Sequence, residues 1–334
     1  MVQPFVLLWP FHGWGFGAAR LNRNLRPCTV GGGRVARPNE WRASHLVAVF
    51  ATDALRVLYN QIPVLDESKG AKTMNKKLLP LAVAGLCGAA EAAMVSEPVA
   101  YEIDGEAFEG LLVYDDAVTA PRPGLVMVPN WLGVTERSAE KAARAAGDKY
   151  VVLVADMYGK AVRPSNADEA RAAASALRAD RALMRKRAQA AVDVLKAQGD
   201  AVALDTARLG AIGFCFGGGA VLELARSGAD LAAFVSFHGN LDTPNPDDAR
   251  NIEAPVLVLH GADDPSVSKE QLDGFVAEMK AAGVDWQLVS YGGAVHSFTD
   301  PYANVPGRNE YHPRVAQRAF QAMNDQFDEV FAAQ

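Results

Sequence analysis

The sequence predicts an α/β fold: a mostly parallel central sheet with helices on both faces. Three observations carry this. From Met94 onward, short apolar runs alternate with segments of helical spacing. Several of the runs are apolar without interruption, as strands covered on both faces must be. The alternation continues to the C-terminus with no internal repeat or low-complexity linker, so residues 93–334 are expected to form one domain.

Tyr101 to Asp104 and Phe108 to Tyr114 read as two strands about a turn at Gly105. Leu125 to Val128 and Val151 to Val154 are short apolar runs, and Arg137 to Ala146 between them has helical spacing. One long helical stretch is expected from Ala167 to Ala197, then a strand from Leu209 to Ile212 and a helix from Gly218 to Arg226. Strands are expected at Ala233 to Phe237, Val256 to Leu259 and Trp286 to Ser290. Helices are expected at Lys269 to Ala281 and Pro313 to Phe331.

Composition narrows the class of function. Half of the 334 residues are hydrophobic and 22% are charged, an ordinary globular balance. The net charge of −6 argues against nucleic acid as a partner, because phosphate neutralisation needs clustered Lys and Arg. The charge is uneven. Residues 1–73 carry seven Arg and two Lys against four acidic side chains, which leaves about −12 on the part from Met94 onward. So acidic a body suits a small-molecule substrate better than an anionic polymer or membrane surface.

The first 92 residues are not expected to belong to the fold. Asn75-Lys76-Lys77, the uncharged apolar stretch Leu78 to Ala90, and Ala90-Glu91-Ala92 have the three-part form of a secretory signal starting at Met74. The apolar run is too short for stable membrane insertion. Leu86 stands before Cys87 where lipidation would want a small residue. Residues 1–73 show no sustained period and read as an extension upstream of the true start, disordered if made. The rival reading is a genuine N-terminal domain. The chain is therefore expected to be exported, periplasmic or secreted, with cleavage near Ala92.

The strongest chemical signal is Gly213-Phe214-Cys215-Phe216-Gly217, between an apolar strand and a glycine-rich helix start. A nucleophile there sits on a sharp strand-to-helix turn that bulky neighbours two positions away would block. The helix N-terminus favours a thiolate over a thiol. The N–H of Phe216 can donate to an oxyanion. Of the three cysteines, Cys28 and Cys87 precede residue 93, so an exported domain would hold Cys215 alone. An unpaired Cys in an oxidising compartment is a candidate reactive thiol.

Such an elbow needs a base and a residue to orient it, arriving in the order acid then His. The loop Gly261-Ala262-Asp263-Asp264-Pro265-Ser266-Val267 supplies the acid, and Gly292-Gly293-Ala294-Val295-His296-Ser297-Phe298 the His. Both loops follow strands, so their side chains can converge with Cys215 at the carboxyl edge of the sheet. His238, His260 and His312 compete less well; the first two end strands ahead of the acid loop, where packing, hydrogen bonding or lining the pocket is expected. Asp263 is the rival to Asp264, since turn aspartates are commonly caps. The second oxyanion donor is expected in Pro129-Asn130-Trp131-Leu132-Gly133, with the Trp131 N–H as the candidate. No metal and no organic cofactor is expected, since no Cys/His cluster has ligand spacing.

Gly-x-Cys-x-Gly-Gly at 213–218, Gly-x-x-Asp-Pro-x-Val at 261–267 and Gly-Gly-Ala-x-His-Ser-Phe at 292–298 together resemble the dienelactone hydrolase family. So do Ala155-Asp156-Met157-Tyr158-Gly159 and the closing helix after Tyr311, a likeness spanning Tyr101 to Phe331. The resemblance implies an α/β-hydrolase fold and a Cys-His-Asp set at Cys215, His296 and Asp264. It implies hydrolysis of a small ester or lactone, and it selects Asp264, which precedes Pro265 in the family spacing. It also marks a departure: where the best-known members carry a Glu that helps activate the thiol, this chain has Asn130, which cannot accept a proton at neutral pH. Asn130, His238 and Tyr158 are the candidate pocket residues. Two other classes share these residues: a non-catalytic binding or redox-sensing protein, and a thiol peptidase or acyltransferase.

Overall fold

The computed structural model describes residues 94–199 and 201–333. The expectations for residues 1–73 and for the signal segment 74–92 lie outside the described residues.

The domain opens with a hairpin, β1 (Met94–Ile103) and β2 (Glu106–Asp115). Asp104 and Gly105 join the strands with φ of 53° and 82°, the positive pair that a two-residue turn matched to strand twist requires. Then come β3 (Arg122–Val128), α1 (Glu136–Ala146), β4 (Val151–Val154), α2 (Ala167–Ala179), α3 (Arg181–Lys196), β5 (Leu204–Phe214) and α4 (Phe216–Arg226). The chain continues through β6 (Phe234–Phe237), β7 (Val256–Gly261), α5 (Lys269–Ala282), β8 (Trp286–Tyr291), a small hairpin of β9 (Asn304–Val305) and β10 (Asn309–Glu310), and α6 (Pro313–Ala332).

The sheet order is β1-β2-β4-β3-β5-β6-β7-β8. β2 runs antiparallel to both neighbours, and every pairing from β4 to β8 is parallel. Residues of the central strands are buried on both faces and alternate between two cores. Val126 and Val128 join Leu177, Val192, Val221 and Phe275 on the face of α2 to α5. Leu125 and Met127 join Ala142, Met323 and Phe327 on the face of α1 and α6. Each fully buried Leu, Val or Phe contributes roughly 1.5–3 kcal/mol, so the two apolar layers hold the sheet edge that carries the site.

The expected elements from Leu125 onward are present, with one correction. The helical stretch Ala167 to Ala197 is two helices. Asp180 breaks it with φ −119° and ψ 84°, and its carboxylate accepts from Leu183 N to start α3. An Asp that satisfies free N–H groups makes a new helix start cheaper than continuation. The β9–β10 hairpin and a short 3₁₀ turn at Pro246–Asn251 were not anticipated, being too short to show a period.

Candidate active site

Strands β3, β5, β7 and β8 are parallel neighbours or near neighbours, so the loops at their carboxyl ends crowd one edge. Asn130 and Trp131 follow β3, Cys215 follows β5, Asp264 follows β7 and His296 follows β8.

Cys215 stands at the N-cap of α4 with φ 56° and ψ −117°. Such a backbone costs on the order of 1–3 kcal/mol and persists only where the surroundings enforce it. They do so here by close approach. A Cβ on Gly213 would lie 2.1 Å from Gly217 O, and one on Gly217 would lie 2.1 Å from Val128 O. Cys215 N donates to Phe237 O at 3.0 Å, tying the turn to β6.

His296 Nε2 lies 3.0 Å from Cys215 Sγ, and its Nδ1 lies 2.7 Å from Asp264 Oδ2. The other carboxylate oxygen, Oδ1, accepts from Ser266 N at 2.7 Å. Asp264 is therefore locked in orientation, and Nδ1 carries a proton toward it. Asp263 points elsewhere: it is exposed, and its Oδ2 accepts from Gly293 N at 3.0 Å. The backbone of His296 is pinned by Glu310 N, which donates to His296 O at 3.1 Å. The unanticipated hairpin thus braces the imidazole.

The electrostatics favour an ion pair. Burial alone would raise the Cys215 thiol, but the hydrogen bond and charge of His296, then the Phe216 N–H and Arg178, bring it below its ordinary value. Burial alone would lower His296, but its bonds to Asp264 and Cys215 and their charges raise it to about 10. Burial also works against the Asp264 carboxylate, and His296 overrides it, holding the group below the usual range. Thiolate, imidazolium and carboxylate are the consistent set.

Trp131 is half-buried against the core. Among the described residues its N–H has no backbone acceptor, and the turn around it closes through Gly133 N to Asn130 O at 2.9 Å. Asn130 Oδ1 accepts from Leu132 N at 3.0 Å. Tyr158 is buried, with its hydroxyl donating to Trp131 O at 2.9 Å and its ring 5.8 Å from that of Phe216.

His238 lies behind His296: the ring centroids are 5.3 Å apart, edge to face, and its Nε2 meets Thr299 Oγ1 at 2.8 Å. Burial, then the charge on His296, pushes it well below an ordinary histidine, so it packs there neutral. His312 caps α6 through Nδ1 to Val315 N at 3.4 Å.

Two cationic residues went unnoticed in the sequence. Arg178 of α2 donates to Asn240 Oδ1 at 2.8 Å and lies over the Phe216 ring at 5.7 Å. Lys141 of α1 donates to Thr299 Oγ1 at 3.4 Å and sits 4.9 Å from the Phe214 ring centroid. Burial lowers Lys141 below an ordinary lysine, against the pull of Asp300 and Cys215. Neither is near Cys215, Asp264 or His296 in sequence, and nothing in helical spacing distinguishes them from surface charges. A cavity of about 590 Å³ between Leu241, Thr243, Gln271, Phe275 and Glu278 contains none of these residues. No group of three or more His, Cys, Asp or Glu among the described residues is placed to hold a metal ion.

The sheet order and the strand–turn–helix thiol define the class: an α/β-hydrolase with a cysteine at the elbow. The dienelactone hydrolase family model matches residues 108–331, and the chain belongs to that family. It is similar to a dienelactone hydrolase-like promiscuous phosphotriesterase from metagenomic libraries, whose crystal structure is 40% identical with a TM-score of 0.67, covering 71% of this chain and 99% of that one. An uncharacterized Caenorhabditis elegans protein is 35% identical over 156 residues, 45% of this chain and 95% of its own. A Bradyrhizobium protein designated "Probable 2-oxo-3-(5-oxofuran-2-ylidene)propanoate lactonase" is 30% identical over 214 residues, 61% of this chain and 82% of its own. The protein is a carboxylic ester hydrolase of the dienelactone hydrolase kind, acting on esters or lactones. No helix among the described residues is long and apolar enough to cross a membrane.

Proposed function

We propose that Cys215 is the nucleophile, His296 the acid and base, and Asp264 the residue that orients it. The observation supporting this most is the continuous contact from Asp264 Oδ2 through both nitrogens of His296 to Cys215 Sγ, at 2.7 and 3.0 Å. The thiolate adds to the substrate carbonyl carbon, and the C=O electron pair moves onto oxygen. The N–H groups of Phe216 and Trp131 receive that oxyanion. As the C–O bond breaks, the Nε2 proton of His296 passes to the leaving alkoxide, and a thioester to Cys215 remains. In a lactone the released hydroxyl stays tethered to the acyl group. Neutral His296 then takes a proton from water, the hydroxide attacks the thioester, and the acid leaves as the thiolate returns. The proton on His296 restores the ion pair.

Turnover of p-nitrophenyl acetate, p-nitrophenyl butyrate and a dienelactone by Cys215→Ala and His296→Ala tests this. Both variants are expected to lose turnover. Full activity in Cys215→Ala overturns the assignment, and release of amide or transferred ester with an added amine or alcohol would make the enzyme an acyltransferase instead. The likeness to a promiscuous phosphotriesterase supports a second, side activity at the same thiol. A p-nitrophenyl phosphotriester should be turned over by the parent and not by Cys215→Ala. The signal-like segment from Met74 to Ala92 supports export, and N-terminal sequencing of the mature protein should read from Ala93.

A further inference from the structure

We propose that Asn130 and Tyr158 are positioning residues that together aim the Trp131 N–H at the reacting carbonyl, Asn130 thereby doing structural work at the position of the Glu that the resemblance marks as absent. The inference rests on Trp131 being an oxyanion donor, as proposed above. A peptide unit is planar, so the Trp131 N–H shares one plane with Asn130 O, and the next plane, between 131 and 132, braces it through the Trp131 α-carbon. The plane between residues 130 and 131 is held by Gly133 N, which donates to Asn130 O at 2.9 Å. The plane between 131 and 132 is held at both ends. Leu132 N donates to Asn130 Oδ1 at 3.0 Å, and Tyr158 Oη donates to Trp131 O at 2.9 Å. Trp131 thus sits between two pinned planes with its own N–H uncommitted among the described residues.

Tyr158 can act as a clamp because its own loop is rigid. The carboxylate of Asp156, 1% exposed, accepts from Tyr158 N and Gly159 N at 3.0 Å through Oδ1. Its Oδ2 accepts from Glu109 N at 3.1 Å and Arg163 Nη2 at 2.9 Å. The turn it clamps is seated on the elbow, since Gly217 packs directly under the carbonyls of Val128 and Pro129. Burial keeps the Tyr158 phenol protonated, so it remains a donor throughout the working pH range.

The carbonyl that Tyr158 binds belongs to the same residue whose N–H is to be aimed. Losing that bond lets Trp131 rotate without altering the thiol, His296 or Asp264. Tyr158→Phe in the full chain removes one hydroxyl and should lower kcat about tenfold, short of the roughly 10²-fold or more that loss of an oxyanion donor costs. KM should stay within about twofold, and the pH profile of Cys215 alkylation by iodoacetamide should not move. Asn130→Ala should behave likewise. Asn130→Asp, which keeps the acceptor for Leu132 N, should recover most of the loss, and the Asn130→Ala/Tyr158→Phe pair should cost less than the product of the singles. An unchanged kcat in Tyr158→Phe overturns the inference. So does a shifted alkylation profile, which would place Tyr158 on the thiol, or an Asn130→Asp variant no better than Asn130→Ala. Should Asn130→Ala unfold, Tyr158→Phe and Asn130→Asp alone decide. Failure of the catalytic reading would look different: turnover surviving Cys215→Ala.

Discussion

Gly217→Ala is the sharpest probe of the elbow. The added Cβ would stand 2.1 Å from Val128 O and 2.5 Å from Pro129 O. A carbon and a carbonyl oxygen meet comfortably at about 3.3 Å, so one backbone must retreat by roughly 1 Å. Both candidates matter. One is the start of α4, with Cys215 and the Phe216 N–H. The other is the end of β3, which leads into the turn at Asn130 and Trp131. Overpacking of this kind costs about 1–3 kcal/mol of stability. A 1 Å misplacement of reacting groups costs about 10²-fold in rate. The assay is urea unfolding beside p-nitrophenyl acetate kinetics. Gly274→Ala, in α5 with open space around its Cβ, is the control, and there the change should stabilise by about 0.5–1 kcal/mol. If Gly217→Ala keeps kcat within about twofold and its unfolding midpoint does not fall, the packing of the elbow against β3 does not set the geometry of the site.

Asp264→Asn should leave His296 in the wrong tautomer and lower kcat on the order of 10⁴-fold. Asp263→Asn should change it less than about twofold, since the Asp263 carboxylate accepts from Gly293 N rather than from His296; equal losses in ester assays would break the distinction. Alkylation of Cys215 by iodoacetamide should proceed well below the ordinary thiol range near 8.5 and slow sharply in His296→Ala, whose hydrogen bond is the main influence lowering the thiol after burial has raised it. kcat/KM should fall at the alkaline end as His296 loses its proton near 10. For stability the signs are opposite. The Asp264 contribution is present above the ordinary carboxylate value near 3.9 and is lost as pH falls through its depressed value. The His296 contribution is present below about 6.5 and is lost as pH rises through about 10. Urea midpoints of the parent and His296→Ala should therefore converge toward that upper limit.

Most of this candidate site was legible because its residues are bound to backbone patterns. Gly213 and Gly217 flank Cys215 for steric reasons that hold in any sequence making the turn, Asp264 follows the apolar run Val256 to Leu259, and His296 follows the alternating segment Trp286 to Tyr291. The break at Asp180 was not legible: Ala-rich spacing continues through it, and only the capped Leu183 N–H shows why the helix restarts. Arg178 and Lys141 were hidden because their proximity to Cys215 is created by packing α2 and α1 on opposite faces of the sheet. Asn130 was read by the side chain it lacks. Its role in the turn depends on a hydrogen bond to a residue two positions on, which Asn, Asp and Ser make in ordinary loops, so the sequence alone does not separate that role from a passive one.

The acyl-enzyme is the most direct measure of the mechanism. The protein should be mixed with p-nitrophenyl butyrate, quenched in acid during turnover, digested and weighed by mass spectrometry. One butyryl group on the peptide containing Cys215, absent in Cys215→Ala, is the expected result. A butyryl group on another residue, or steady turnover with the Cys215 peptide never modified, would contradict nucleophilic catalysis by this thiol.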